Sequence, residues 1–318
     1  MSFLFRDFIG LRFPVVSAAV AAVFALCLTS VADPVKDQAF DPAPLEATVA
    51  EVASRLSARI GVTVLDRWGN VLWSVRGDER FPLNSTFKAF LCADLLNQIE
   101  AGRLIADAQV RITAGDLVAH SPVTKRRVGG SPMTLVELCG AAMMLSDITA
   151  ANLILKAVGG PAALTSFLRE TGDPVTRIDR FETELNEGTP GDPRDTTTPK
   201  AAAATLVRLA FGTSLREGAR DTLIDWLIGN QVGGSLLRAG LPAGWKIGDR
   251  TGAGGHGSRS TIAIIWPPVS GPVVVAIYLT QTDAGFVVRN KAISEIGAAL
   301  AMALDRRSDS LGVSPARP

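Results

Sequence analysis

Ser85 and Lys88 stand three residues apart at the head of the apolar stretch AFLCADLL. On a helix, positions three apart lie about 60° apart in azimuth, so the hydroxyl and the ammonium share a face. A lysine buried there can lose its proton or hydrogen-bond the hydroxyl, and a helix N-terminus favours negative charge developing nearby; that is the chemistry of an activated serine nucleophile. Taken alone, the spacing equally describes a plain helix start with one surface lysine. Three other places carry compatible chemistry. Ser146-Asp147 precedes the apolar stretch ITAANLIL and sets a second hydroxyl between apolar helices, either as a partnered group or as a helix N-cap. In the polar stretch RIDRFETELNEGTPGDPRDTTTP, Glu182 and Asn186 are spaced i, i+4, so on one helical turn they could hold a water between them. Arg180 and Asp195 bracket that stretch with opposite charges and could clasp it as an Ω-loop, the alternative being solvated decoration. Last, Arg250-Thr251-Gly252 on a strand, with Ser258 and Arg259 nearby, offers cations and hydroxyls to a carboxylate, or else a strand-edge salt bridge.

The elements that must position these groups follow from periodicity. LEATVAEVASRLSARI has helical spacing from about residue 44 to 59, with acids first and arginines late. GVTVLDRWGNVLWSVRGDERF alternates around a turn at Gly69-Asn70 and reads as a β-hairpin. The middle is mostly helical, over 86–101, 135–144, 149–158, 162–170, 200–211 and 219–229. Strands return in GWKIGDRTG, SRSTIAIIWPP and GPVVVAIYLTQ, and a final helix covers 288–304. Terminal elements need a common sheet to bury their apolar faces, so the fold class is α+β: one antiparallel sheet built from both ends of the chain, flanked by the terminal helices, with an all-helical lobe inserted.

Composition limits the alternatives. The 318 residues, 47% hydrophobic and 20% charged, are enough for a sizeable core and exclude disorder. Lysine plus arginine number 32 against 31 acids, so no global field draws the chain to nucleic acid. Two histidines and three cysteines lack zinc-site spacing, and neither a metal nor another cofactor is expected. A mean hydropathy of +0.25 is concentrated at the start. There MSFLFRDFIGLRF carries Arg6 and Arg12, an uncharged apolar run follows, and Ser30-Val31-Ala32 precede Asp33, the order of a secretory signal; a retained membrane anchor or a lipoprotein at Cys27 are the alternatives. Removing residues 1–32 takes two arginines and one aspartate and leaves 30 charges of each sign. The expected product is an exported, periplasmic protein without stable membrane association. Its two remaining cysteines, Cys92 and Cys139, are either bridged or two separate buried thiols.

In this order the four places resemble the active-site set of the class A β-lactamases: S-x-x-K, S-D-N, a loop glutamate and K-T-G. The resemblance runs from about Leu45 to Leu304, and TAANLIL, RxExELN, GDPRDTTTP and DRTGAGG reinforce it. Arginine in Arg250-Thr251-Gly252, where lysine is usual, is similar to the carbenicillin-hydrolysing branch, as are NQVGGSLLRAGLPAGW and IYLTQT. The resemblance implies a β-lactamase or penicillin-binding transpeptidase-like fold. Its α/β lobe would be discontinuous, 33–76 with 227–305, and its helical lobe would span 77–226 with an Ω-loop at 177–195, between a signal at 1–32 and a flexible tail at 306–318. It implies hydrolysis of the lactam amide of penicillins, including carboxypenicillins, through an acyl-enzyme on Ser85, by a monomer whose partner is a small-molecule β-lactam. Lys88 would assist proton removal, Glu182 with Asn186 would activate the hydrolytic water, and Ser146 would pass a proton to the departing nitrogen. The backbone N–H groups of Ser85 and Ala253 would form the oxyanion hole. Arg250, Thr251, Gly252, Ser258 and Arg259 would bind the substrate carboxylate, with Asn152 among the substrate-binding residues. Cys92 and Cys139 fall where many members carry a disulfide between two helices.

Two positions depart from the family pattern. Ser146-Asp147 is followed by Ile148 in place of the amide side chain that bonds the substrate's acylamido group, which weakens binding or turnover. His120 stands where an aromatic wall is common at the cleft mouth, and an imidazole can still stack. Two other readings share parts of the pattern. A penicillin-binding DD-peptidase lacks the deacylating pair Glu182 and Asn186, and a non-hydrolytic β-lactam sensor would stay acylated.

Overall fold

The stretch RIGVTVLD forms β1 (Arg59–Asp66), and the chain turns because the Asp66 carboxylate accepts from the backbone N–H of Trp68 and of Asn70, both at 2.9 Å, before β2 (Val71–Val75) returns antiparallel. The structure is a computed structural model that describes residues 40–268 and 270–309. The signal expected at 1–32 lies outside the described residues, as does the part of the expected tail beyond Asp309.

Three late strands complete the main sheet: β7 (Lys246–Ala253), β8 (Arg259–Trp266) and β9 (Val273–Thr280), in the antiparallel order β2-β1-β9-β8-β7. The uninterrupted apolar run of β9 is explained by its central position. Val273, Val275, Ile277 and Leu279 enter one hydrophobic cluster, while Val274, Ala276 and Tyr278 enter the other. Successive side chains of a strand point to opposite faces, so a strand covered on both faces is apolar throughout, and a one-residue slip would exchange the two sets. On one face lie α1 (Ala43–Arg55), α8 (Leu237–Gly240) and α9 (Phe286–Asp309), which contribute Leu45, Val52, Leu237, Ile293, Ile296 and Leu300 to the first cluster.

The other face carries the helical layer: α2 (Phe87–Glu100), α3 (Leu135–Leu145), α4 (Ile148–Ala157), α5 (Pro161–Glu170), α6 (Pro199–Phe211) and α7 (Glu217–Ile228). Every residue of α2 from Phe87 to Leu96 is buried, as befits a helix surrounded by α3, α4, α5 and α7 rather than laid on a surface. Cys92 on α2 and Cys139 on α3 are joined by a disulfide with Cα atoms 5.8 Å apart. Two-stranded pairings, β3 (Phe81–Pro82) with β6 (Thr196–Thr197) and β4 (Gln109–Val110) with β5 (Met133–Thr134), pin the loops of this layer.

Two helix limits differ from the periodicity. The first helix stops at Arg55, not near 59, because Ser57 takes a left-handed φ of 45° and Arg59 already pairs with Thr280 across β1 and β9. The last helix runs on to Asp309, so residues 306–309 are helical where a tail was expected.

Candidate active site

Ser85 sits in a short 3₁₀ turn, Asn84–Thr86, that leads into α2. Thr86 locks the turn: its hydroxyl donates to Leu83 O at 2.6 Å and lies 3.1 Å from the buried Tyr278 hydroxyl of β9. Burial raises the Tyr278 pKa, so that hydroxyl stays protonated as a hydrogen-bonding group. Asn84, fully buried with φ at 46°, donates from Nδ2 to Ser258 Oγ at 3.1 Å and so ties the turn bearing Ser85 to the β7–β8 hairpin. Asparagine is one of the few non-glycine residues that tolerates this backbone region.

Around Ser85 the side chains form one closed cluster. Lys88 Nζ donates to Ser85 Oγ at 3.0 Å, and Ser85 Oγ donates to Glu182 Oε1 at 3.0 Å. Lys88 Nζ is also 3.2 Å from Glu182 Oε2 and 3.3 Å from Ser146 Oγ, and Ser146 Oγ lies 3.5 Å from Ser85 Oγ. Arg250 Nη2 donates to Ser146 Oγ from the far side at 2.5 Å. Lys88 is fully buried, and that burial, opposed by Glu182 and reinforced by Arg250, lowers its pKa to about 8. Burial likewise lowers Arg250 to about 10, so Arg250 stays charged at neutral pH.

Helix termini place the remaining groups. Ser146 follows α3 with φ at 58°, and Asp147, not Ser146, is the N-cap of α4: its Oδ1 accepts from Ala150 N at 2.9 Å. Asp147 also accepts from the backbone N–H of Val123 and Thr124, both at 2.9 Å, which pins the loop bearing His120. Of the two readings of Ser146, the N-cap is therefore excluded, and its hydroxyl faces Ser85.

Glu182 is only 3% exposed and is held through its backbone. Asn152 Nδ2 donates to Glu182 O at 2.6 Å, and Glu182 N donates to Asn152 Oδ1 at 3.0 Å. Asn152 therefore anchors the loop rather than binding substrate, which corrects that expectation. The loop neck is closed by Arg180 Nε donating to Asp195 Oδ2 at 2.6 Å, while Asp195 Oδ1 accepts from the backbone N–H of Asp179 at 2.7 Å and Arg180 at 3.0 Å. Glu182 and Asn186 do not share an α-helical turn, because the segment is a turn followed by a 3₁₀ helix at Glu184–Asn186. Asn186 nonetheless lines the cleft, and its carbonyl accepts from Gly255 N at 2.8 Å, joining the loop to the β7–β8 hairpin.

The cleft has a volume of about 410 Å³. Its lining includes Ser85, His120, Ser146, Ile148, Asn186, Thr251, Gly252, Ala253 and Arg259, so the expected nucleophile, oxyanion and carboxylate groups meet at one opening. Gly252 is required there, since an added Cβ would lie 3.1 Å from Ser85 N and 2.9 Å from Asn84 Cβ. Arg259 is fixed by Nε to Asn290 Oδ1 and Nη1 to Gly252 O, both at 2.7 Å, and Nη2 has no partner among the described residues. Its pKa is lowered to about 10, by burial first and then by Arg289 and Arg250. Two members of the carboxylate set do not reach the opening. Ser258, 1% exposed, is turned to Asn84, and Arg250 stands behind Ser146. Ile148 N donates to His120 O at 3.1 Å, and His120 Nε2 donates to Leu145 O at 3.2 Å, which sets the imidazole at the mouth.

Several cleft residues carried no signal in the sequence: Val232, Ser235, Phe286 and Asn290. Nor did Asn84, fully buried behind the cleft, where it holds Ser258. A second cavity of about 380 Å³ behind the Ω-loop, lined by Arg59, Arg80, Asp192 and Thr280 among others, holds none of the clustered groups.

Known proteins resemble the chain over most of its length. The model of the "Beta-lactamase enzyme family" matches residues 44–304. The chain is 51% identical over 253 residues to the β-lactamase CARB-3 of Pseudomonas aeruginosa, covering 80% of this chain and 88% of that protein. It is 45% identical over 283 residues to the β-lactamase AER-1 of Aeromonas hydrophila, covering 89% and 93%. Among solved structures, an ancestral class A β-lactamase superposes with a TM-score of 0.79 at 52% identity, covering 81% of this chain and 99% of that one.

Proposed function

The chain belongs to the class A β-lactamases, and from its hydrolysis of the β-lactam amide bond we propose a division of labour among its residues. The observation that carries it is the position of Ser85 Oγ, 3.0 Å from both Lys88 Nζ and Glu182 Oε1. Ser85 Oγ attacks the lactam carbonyl and its proton passes to Glu182, directly or through a water, while the Lys88 ammonium stabilises the developing alkoxide. The carbonyl oxygen takes up negative charge at the backbone N–H groups of Ser85 and Ala253, each worth about 3 kcal/mol in the transition state. As the C–N bond breaks, Ser146 gives its proton to the leaving nitrogen and is resupplied by Lys88, which lies 3.3 Å away. A water held by Glu182 and Asn186 then attacks the ester. Before that attack Glu182 passes the proton it took from Ser85 to the now neutral Lys88, 3.2 Å away, and so regains its carboxylate; it then takes the water's proton and delivers it to Ser85 Oγ as the ester C–O bond breaks.

Arg259 and Thr251 receive the substrate carboxylate, and Arg250 acts through Ser146. Penicillins, including carboxypenicillins, are the proposed substrates, supported by the Arg250-Thr251-Gly252 variant of the third motif. We place the mature protein in the periplasm as a monomer.

The decisive experiment is penicillin turnover by the purified protein, followed by mass spectrometry of Glu182→Ala. Continuous turnover by the parent and a stable penicilloyl adduct in the variant are expected. Rapid turnover by Glu182→Ala would overturn the assignment, and a single stoichiometric burst from the parent would convert the protein to a β-lactam acceptor.

A further inference from the structure

Phe286, the first residue of α9, is a large apolar side chain left 50% exposed on the wall of the catalytic cleft. Its ring is not loose. The Arg259 guanidinium carbon lies 4.7 Å from the ring centroid and that of Arg289 lies 5.7 Å away. Both cations are themselves held, Arg259 by Asn290 and Gly252, and Arg289 by Nη1 donating to Ser258 O at 3.1 Å. Two anchored cations against one ring fix its orientation and leave the rest of its surface to the opening. The cleft therefore presents an aromatic group beside the arginine assigned to the substrate carboxylate.

We propose that Phe286 forms an aromatic subsite for the substituent on the ring carbon next to the carboxylate-bearing carbon of a cephem. This rests on the reading of Arg259 as the carboxylate site. Once the carboxylate is fixed at Arg259, the neighbouring ring carbon is one bond away, and its substituent leaves along the wall that Phe286 forms. An aryl or arylvinyl group there stacks on the ring, whereas a methyl group does not reach far enough to cover it. Aromatic pairing of this kind favours the aryl substrate about 3- to 10-fold.

The test uses two cephems with the same acylamido arm, one carrying an arylvinyl group and one a methyl group at that carbon. Each is measured as a competitive inhibitor of penicillin turnover by the parent protein and by Phe286→Ala, so that slow cephem hydrolysis does not obscure the result. The ratio of the two inhibition constants should shift against the arylvinyl cephem by about 3- to 10-fold in Phe286→Ala and return towards the parent ratio in Phe286→Tyr. A ratio unchanged within twofold would overturn the inference, whatever happens to each constant, because a ring that only braces Arg259 would affect both cephems equally. The KM of Arg259→Gln for penicillin separately tests the reading underneath: a value within twofold of the parent's would refute Arg259 as the carboxylate site, whereas the ratio above is read on the Phe286 variants alone.

Discussion

Replacing Asn152 by alanine removes both hydrogen bonds that hold Glu182 by its backbone, at 2.6 and 3.0 Å, while leaving the Glu182 side chain intact. The N–H and C=O of Glu182 lose their partner in a site where the residue is only 3% exposed. An unsatisfied buried polar group costs about 1 to 3 kcal/mol, and water entering beside the half-buried Asn152 position recovers part of it, so the docked loop loses about 2 to 4 kcal/mol. The neck bonds between Arg180 and Asp195 remain, so the loop loosens without unfolding the protein. In the proposed mechanism deacylation depends on Glu182 facing the ester, and a penalty of about 2 kcal/mol shifts the docking equilibrium about 30-fold, which lowers the docked population about 15-fold where docked and free loop were equally populated. Stopped-flow turnover with rapid-quench mass spectrometry should therefore find a deacylation rate at least tenfold lower, accumulating acyl-enzyme, and a melting temperature at least about 4 °C lower. Deacylation within twofold of the parent would refute the view that Asn152 positions the general base, even if the melting temperature fell.

Three further outcomes follow from the same geometry. Ile148→Asn restores an amide on the cleft wall and should raise kcat/KM on ordinary penicillins severalfold, the return expected from one polar contact worth about 1 kcal/mol; an unchanged or lower kcat/KM would count against it. With Lys88 lowered to about 8 and acting as its ammonium, kcat/KM should fall as pH rises through about 8; a limb that rises there instead would make neutral Lys88 the base. Burial raises Asp94 to about 6, above its unfolded value, so its contribution to stability is fully present below about pH 4 and lost as pH rises through 6. Asp94→Asn should keep a side-chain oxygen for Gln98 Nε2, now 3.0 Å from Asp94 Oδ1, and melt higher than the parent at pH 8 but not at pH 4; an equal offset at both pH values would refute the titration.

Much of the architecture was legible because it is local. Alternation and helical spacing placed the hairpin, the three late strands and the long helices, and the four short motifs singled out Ser85, Lys88, Ser146 and Glu182, whose side chains the fold brings together. Where local signals conflicted, longer-range pairing prevailed, as at residues 56–59, where helical spacing continued but pairing with β9 pulled Arg59 into a strand. The roles within the motifs were less legible. Ser146 was readable as a cap until Asp147 took that bond, and Asn152 looked like a cleft residue until the Glu182 backbone claimed both ends of its amide.

The sequence by itself determined which residues could do chemistry and in what order they occur, because residue type and spacing set what a side chain can donate, accept or attack. The tertiary structure alone decided which of them meet. Ser85 finds Glu182 across 97 residues, Arg250 finds Ser146 across 104, and Asn84 takes Ser258 out of the cleft across 174. Such pairings depend on how β7, the Ω-loop and the head of α2 pack together, and no local periodicity encodes the distance between segments that far apart.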